Sequence, residues 1–167
     1  MIHRFDPLRA LGVLIKHDVR FVVVGGVAGR ALGSPTITND LDVCYERSAE
    51  NCSALAGALK ELGATLRGAP EGLPFQLDAR SLRMGDSLTF ETVAGPLDCL
   101  GTPAGTDGYS DLRKTAIEYE MDDMRVVVVS LDDLIRMKRA ANRPKDRIEI
   151  EILTALKEER ENLKPPQ

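Results

Sequence analysis

The segment from Val22 to Tyr45 reads VVVGGVAGRALGSPTITNDLDVCY and carries the strongest structural signals in the chain. It follows Phe21, and the apolar, β-branched run from Phe21 to Val24 is typical of a short buried strand. Gly25 and Gly26 end this run abruptly. The residues after them, Val27 to Leu32, can form a short helix before the next glycine and proline. The pattern therefore predicts a strand, a glycine turn and a short helix.

The end of the same stretch carries two carboxylates, Asp40 and Asp42, with Leu41 between them. Side chains alternate in direction along a strand, so the two acids share one face while Leu41 and Val43 share the other. Adjacent carboxylates repel each other, and a divalent cation removes that cost. Mg²⁺ prefers one or two carboxylates together with substrate phosphates. The pair therefore predicts a metal site next to a phosphate ligand.

The two glycines, Gly25 and Gly26, are candidates for holding that phosphate. Glycine allows a backbone to approach a ligand closely, and the N-terminus of the following helix presents free N–H groups to an anion. One stretch of sequence can therefore supply both a phosphate cradle and a metal site.

The order of a strand, Gly25-Gly26, a spacer and Asp40-Leu41-Asp42 resembles the signature of the nucleotidyltransferase superfamily that includes DNA polymerase β. The resemblance implies an α/β (α+β) fold with a mixed, mostly antiparallel sheet flanked by helices. It also implies transfer of a nucleoside monophosphate from a nucleoside triphosphate to a hydroxyl acceptor, with Mg²⁺ or Mn²⁺ as the cofactor. In this scheme, Asp40 and Asp42 are catalytic and hold the metal, and Gly25 and Gly26 bind the nucleotide.

A third acid, Asp98, lies in the second strand of a predicted hairpin formed by Leu88 to Val93 and Leu97 to Leu100. An unpaired carboxylate in a buried strand is costly. Asp98 either ends the strand and bonds a turn, or it is a third metal ligand. The resemblance favours the second interpretation, because the superfamily places a third acid after such a hairpin. Asp98 would then bind a metal ion or take the proton of the acceptor hydroxyl.

The segment from Ser130 to Arg147 is basic in a chain whose formal net charge is −4. It predicts a helix capped by Ser130 that ends near Ala141, and a last helix from Pro144 to about Leu163. The isoleucines and leucines of the last helix predict a broad apolar face. Most such charge runs are solvated, salt-bridged helix faces.

The same segment resembles the C-terminal motif of small bacterial nucleotidyltransferases of the abortive-infection toxin type. In those proteins, a helical lysine and a later arginine or lysine hold the triphosphate. Lys138 and Arg143 match this pattern, so the resemblance implies that they bind nucleotide.

The length of 167 residues predicts one domain, residues 1–167, with C-terminal helices in 130–163 packed on it. Three cysteines without zinc or disulfide spacing favour a reducing cytoplasm. Apolar runs are too short to predict a membrane span. The negative net charge gives no overall attraction to nucleic acid.

The sequence leaves the acceptor and the biological role open. RNA, protein and small-molecule acceptors are all compatible with the motifs, and the resemblance adds a cognate toxin or antitoxin as a candidate partner. An inactive nucleotidyltransferase-like binding protein is the alternative, although the presence of all three acids argues against simple degeneration. A transferase acting on an aminoglycoside would need acids in its acceptor cleft, and Glu71, Asp78 and Asp86 are candidates.

Overall fold

The computed structural model describes residues 4–70 and 76–166. In chain order, its elements are α1 (Pro7–Lys16), β1 (Phe21–Val24), α2 (Gly25–Leu32), β2 (Leu41–Tyr45), α3 (Ala49–Glu61), β3 (Thr65–Leu66), α4 (Ala79–Met84), β4 (Ser87–Thr92), β5 (Gly95–Leu100), α5 (Tyr109–Arg113), β6 (Ile117–Met121), β7 (Met124–Val128), α6 (Leu131–Ala141) and α7 (Pro144–Asn162). No helix in the described part of the chain is both long enough and apolar enough to cross a membrane.

The strands form one mixed sheet in the order β3-β4-β5-β2-β1-β7-β6. At its centre, β2 pairs antiparallel with β1 and parallel with β5, while β1 is parallel with β7. The outer pairs β3–β4, β4–β5 and β6–β7 are antiparallel. The expected α/β fold, with a mixed sheet flanked by helices, is confirmed, while the parallel pairings β2–β5 and β1–β7 at the centre correct the expectation of a mostly antiparallel sheet.

Strands β1 and β2 form the centre of the hydrophobic core. All four residues of β1 are buried, as the apolar run predicted, and Leu41 and Val43 of β2 are fully buried. Asp42, which alternates with them, points to the other face and is only partly covered. The register pairs Asp42 with Val24 on one side and with Asp98 on the other. The central strands therefore bring two of the predicted site residues side by side.

Three helices begin at side-chain caps, and the cap of α6, Ser130, is the one that the sequence analysis predicted. The side chains of Asp6, Ser48 and Ser130 accept hydrogen bonds from backbone N–H groups three residues later, at 3.1, 3.2 and 3.1 Å. Each bond satisfies a donor that a helix start would otherwise leave unpaired. Because Ser130 caps α6 and Pro144 begins α7, both C-terminal helices start as expected.

Two predictions about helices need correction. Helix α2 begins at Gly25, not near Val27, so the glycine pair forms its first turn and not a separate turn before it. The broad apolar face predicted for α7 is also wrong in part, because Ile148 is 68% exposed. The first half of the buried face consists of Asp146 and Glu149, which lie towards the loop before β2.

Candidate functional site

The structure brings together the three predicted acids. Asp40 ends the loop before β2, Asp42 lies on β2, and Asp98 lies on β5. One oxygen of each carboxylate lies within 4.8 Å of the others. The parallel pairing of β2 with β5 produces this proximity, because Asp42 and Asp98 occupy the same level of neighbouring strands. Three convergent oxygen donors fit a hard divalent cation such as Mg²⁺ or Mn²⁺.

The electrostatics of this cluster centre on Asp42. Burial, the charge of Asp40, and the hydrogen bond and charge of Asp98 together raise the pKa of Asp42 to about 8, although the charge of Lys138 opposes the shift. Without a cation, Asp42 therefore retains its proton at neutral pH. A bound divalent cation would favour the ionised form, so metal binding and loss of this proton are linked.

The lack of side chains on Gly25 and Gly26 leaves space for Asp42 and Thr38. A Cβ atom on Gly25 would lie 2.8 Å from Cγ of Asp42, and one on Gly26 would lie 2.6 Å from Cβ of Thr38. Both distances are too short for a real side chain. Helix α2 begins after Val24 without a side-chain cap, so no side chain of Val24 covers its first N–H groups.

The two predicted cations, Lys138 on α6 and Arg143 just before α7, border the same space as Asp42 and Asp98. The two basic side chains meet at Asp146, which is 1% exposed. Nζ of Lys138 lies 3.6 Å from Oδ1 of Asp146, and Nε of Arg143 donates to Oδ2 at 2.8 Å. The hydrogen bond with Asp146 raises the pKa of Arg143. A buried carboxylate therefore holds both cations at the edge of the acidic cluster.

Two cavities meet at the acids. The first, of about 390 Å³, is lined by apolar side chains that include Leu100, Leu134 and Met137. The second, of about 790 Å³, is lined by polar groups that include Thr36, Thr38, Arg67 and Lys145. Gly25, Asp42, Asp98, Lys138 and Arg143 line both cavities. A ligand in either cavity would therefore contact the acidic cluster.

Sequence reasoning missed Arg67 and Glu149. Arg67 follows β3, and its guanidinium lies 3.1 Å from Oδ1 of Asp98 and 2.9 Å from Oε1 of Glu91. Because this contact depends on β3 pairing with β4, nothing local to Arg67 indicates it. Glu149 had a local signal: residues 146, 149, 153 and 156 recur at the spacing of one helix face.

The acids considered for an aminoglycoside cleft do not form a cluster among the described residues. Asp78 caps α4 by accepting from the N–H of Ser81 at 2.8 Å. Asp86 borders the first cavity and lies 3.4 Å from Arg47. Glu71 falls outside the described residues.

No protein-family profile and no curated sequence matches this chain. Its fold is similar to that of the lincosamide antibiotic adenylyltransferase LnuA in its lincomycin-bound crystal structure, with a TM-score of 0.61, 14% identity, and coverage of 89% of this chain and 94% of LnuA. It is also similar to TM1012 of Thermotoga maritima, a candidate nucleotidyltransferase. The TM-score is 0.56 and the identity 16%, and the match covers 94% of this chain and 97% of TM1012.

The antibiotic-resistance factor ANT(2'')-Ia, in complex with adenylyl-2''-tobramycin, gives a TM-score of 0.56 at 15% identity, with coverage of 87% of this chain and 84% of that protein. The TM-scores establish a shared fold. Because the identities are only 14–16%, the activity, the metal and the acceptor have to be argued from the residues of the site. The abortive-infection resemblance stays a prediction. The mixed sheet flanked by helices and these structural likenesses support the same conclusion: the chain has the nucleotidyltransferase fold.

Proposed function

We propose that this protein transfers a nucleoside monophosphate from a nucleoside triphosphate to a hydroxyl group of a small molecule, with a divalent cation held by Asp40, Asp42 and Asp98. The observation that carries the proposal is the convergence of these three carboxylates where two cavities meet. A group transfer needs two substrates that touch one reacting centre, and this arrangement offers that geometry.

The donor set fits Mg²⁺ or Mn²⁺. All three proposed ligand side chains are carboxylates, and burial and the neighbouring acids raise the pKa of Asp42. When bound, the cation would neutralise negative charge on the phosphates and lower the pKa of the acceptor hydroxyl. The three acids would hold that cation where the two cavities meet.

The second cavity suits the triphosphate. Gly26 and the start of α2 border it, and helix N-termini bind phosphate oxygens through free N–H groups. Lys138 and Arg143 border it as well, together with Lys145. A guanidinium can grip two phosphate oxygens, and a flexible ammonium can follow charge as it moves to the leaving pyrophosphate. These groups would stabilise the negative charge that develops during transfer.

The first cavity suits the acceptor. Its apolar wall, with Leu134 and Met137 from α6, favours a compound with an apolar face. Asp98 borders this cavity and is the group in position to accept the hydroxyl proton. Its volume of about 390 Å³ supports a small molecule rather than a folded RNA. The antibiotics in the LnuA and ANT(2'')-Ia structures are consistent with this class.

The few charged side chains that line the first cavity restrict the class of acceptor compound further. Outside the three metal-binding acids, Asp86 is the one carboxylate in the described lining of this cavity, and Arg47 lies beside it. A polycationic acceptor would therefore find few carboxylates to pair with in this cavity, whereas a neutral or weakly charged hydroxyl compound would not need them.

The toxin–antitoxin role and the cytoplasmic location stay predictions from the sequence.

The first test is a thermal-shift panel of ATP, GTP, CTP and UTP with and without Mg²⁺. A ligand at about 100 times its Kd adds about 2.7 kcal/mol, which raises the Tm by roughly 5–10 °C for a chain of this size. We expect a Mg²⁺-dependent rise with at least one nucleotide, and its loss in Asp40→Ala.

The second test is turnover. The preferred nucleotide is incubated with lincosamides, aminoglycosides and other hydroxyl compounds, and nucleotidylated products are detected by mass spectrometry. We expect Asp98→Asn to abolish product formation while nucleotide binding persists. A protein that shows neither a Mg²⁺-dependent shift nor a product would contradict the proposal and favour an inactive binding protein.

A further inference from the structure

Glu149 is a buried acid whose partners are hydroxyl groups. Its side chain faces inward from α7, and the residue is only 8% exposed. Oε1 accepts from Ser34 Oγ at 2.8 Å, and Oε2 accepts from Thr36 Oγ1 at 2.6 Å. Among the described residues, no basic side chain forms an ion pair with it. Burying a carboxylate is costly unless it is hydrogen-bonded, so these two bonds account for its place here.

The two hydroxyls belong to the loop that joins α2 to β2 and carries Asp40. Ser34 is itself buried, and its Oγ accepts from the N–H of Thr36 at 3.3 Å. Further along the loop, Thr38 Oγ1 lies 3.3 Å from Asp40 Oδ1 and also donates to the Asp40 carbonyl oxygen. The contacts therefore run from Glu149 on α7 through Thr36 to the segment that ends at Asp40.

The middle of this loop has little else to hold it. Ile37, between Thr36 and Thr38, is 83% exposed. Arg30 donates from its guanidinium to the carbonyl oxygen of Pro35 at 3.1 Å, but that side chain is exposed. The bonds to Glu149 are the stronger constraint, because they lie in a protected place, whereas water competes for the exposed bond of Arg30.

We propose that Glu149 is a positioning residue for the metal site: by fixing Ser34 and Thr36, it holds Asp40 within reach of Asp42 and Asp98. This inference rests on the proposed function, since it assumes that the three acids bind a divalent cation. Glu149 is not one of the three clustered carboxylates, so it would act on the metal through the loop that it fixes. Partners that orient metal ligands are typically worth about 10–100-fold in metal affinity.

The experiment measures Mn²⁺ binding to the full chain without nucleotide, by electron paramagnetic resonance of the free ion. In Glu149→Ala, both hydroxyls lose their acceptor, and we expect Mn²⁺ affinity to fall at least about 10-fold. In Glu149→Gln, the amide can accept from one hydroxyl and donate to the other, so affinity should stay within about 3-fold of the wild type. Glu151→Ala, an exposed acid on the same helix, is the matched control and should bind as the wild type does.

A second variant removes the contact from the loop side. Ser34→Ala combined with Thr36→Val should reproduce the loss seen in Glu149→Ala, and adding Glu149→Ala to it should cost little more, because all three changes remove one interaction. If Glu149→Ala does not fold, the Ser34→Ala and Thr36→Val double variant tests the positioning role in its place.

The outcomes separate the two proposals. If wild type and Glu151→Ala bind Mn²⁺ and the folded Glu149→Ala or loop variant binds equally well, Glu149 is merely structural and only this inference is overturned. If the wild type binds no Mn²⁺, the proposed function and this inference fail together. A lower Tm with unchanged Mn²⁺ affinity also overturns the positioning role.

Discussion

Gly25 and Asp42 are packed so closely that only the absence of a side chain on Gly25 leaves space for the Asp42 carboxylate. A Cβ on Gly25 would lie 2.8 Å from Asp42 Cγ, and the φ of Gly25 is +66°. Gly25 therefore has two reasons to be glycine: a left-handed backbone and a crowded neighbour. The crowding involves a proposed metal ligand, so a larger residue there should disturb the site as well as the fold.

Gly25→Ala should lower the free energy of unfolding by about 1–3 kcal/mol and displace the Asp42 carboxylate. Urea denaturation would measure the stability, and Mn²⁺ titration of the folded protein would measure the site. Gly68→Ala is a suitable control, since Gly68 has a φ of +76° but nothing within 4 Å of its Cβ position. Gly68→Ala therefore introduces backbone strain without steric crowding. Equal Mn²⁺ affinity in both variants would show that Asp42 does not depend on Gly25.

The raised pKa of Asp42 predicts how the metal-free protein responds to pH. Asp42 keeps its proton up to about pH 8 when folded, whereas its ordinary pKa is 3.8. Between these values, the folded state binds more protons than the unfolded chain. The free energy of unfolding contributed by this group should therefore fall as the pH rises from about 4 to about 8.

This pH effect is measured as Tm against pH in the presence of a chelator. Asp42→Asn, which cannot ionise, should flatten the decline across the same range, and Asp78→Asn, a change to a helix cap on the surface, should not. Metal binding at neutral pH should release a proton, so the Mn²⁺ binding enthalpy should depend on the ionisation enthalpy of the buffer. A buffer-independent enthalpy would indicate that Asp42 is already ionised.

Much of the site could be predicted because its signals are local. Asp40 and Asp42 are two residues apart on one strand, and the glycine pair lies at the end of the preceding strand. Asp98 was harder to place, because its proximity to Asp42 depends on β2 and β5 pairing in parallel across 55 intervening residues. The resemblance to a known family, rather than any periodicity, indicated that pairing.

The remainder depends on contacts that no short window of sequence contains. Arg67 reaches Asp98 across β4, from the residue that follows the two-residue strand β3. Glu149 meets Thr36 across more than 100 residues. The isoleucines of α7 obscured this contact, because they suggested an apolar face, although Asp146 and Glu149 occupy the covered positions. Polar contacts of this kind override the hydrophobic pattern at a site.

The turn between β6 and β7 offers a test of the other acidic pair, Asp122 and Asp123. Both residues have positive φ, 48° and 65°, and join Met121 to Met124 as a two-residue hairpin loop. Asn-Gly is the preferred sequence for such a loop. The double change Asp122→Asn and Asp123→Gly should therefore raise the free energy of unfolding by about 0.5–1 kcal/mol and the Tm by about 1–4 °C.

The same double variant should leave Mn²⁺ affinity and stoichiometry unchanged, because these two acids are exposed and remote from the cluster of Asp40, Asp42 and Asp98. A lower stoichiometry would mean that the turn binds metal. A lower Tm would mean that the aspartates make contacts that favour this turn more than glycine does.

Lys138 gives the most direct test of nucleotide binding. Its side chain is 14% exposed, lies 3.6 Å from Asp146 and borders both cavities. Lys138→Met keeps most of the aliphatic stem and removes the charge. A hydrogen bond to a charged group contributes about 1.5–3 kcal/mol, so the affinity for the Mg²⁺-nucleotide complex should fall about 10–100-fold. Isothermal titration with the preferred nucleotide measures this loss.

The control is Arg139→Met, which removes a positive charge from the next, exposed residue of α6. A long-range effect of net charge would weaken nucleotide binding similarly in both variants, whereas a direct contact would weaken it in Lys138→Met alone. Mn²⁺ binding without nucleotide should persist in both, because Asp40, Asp42 and Asp98 remain. Full nucleotide affinity in Lys138→Met would assign the triphosphate to other cations, with Arg143 and Lys145 next to be changed, because both line the second cavity.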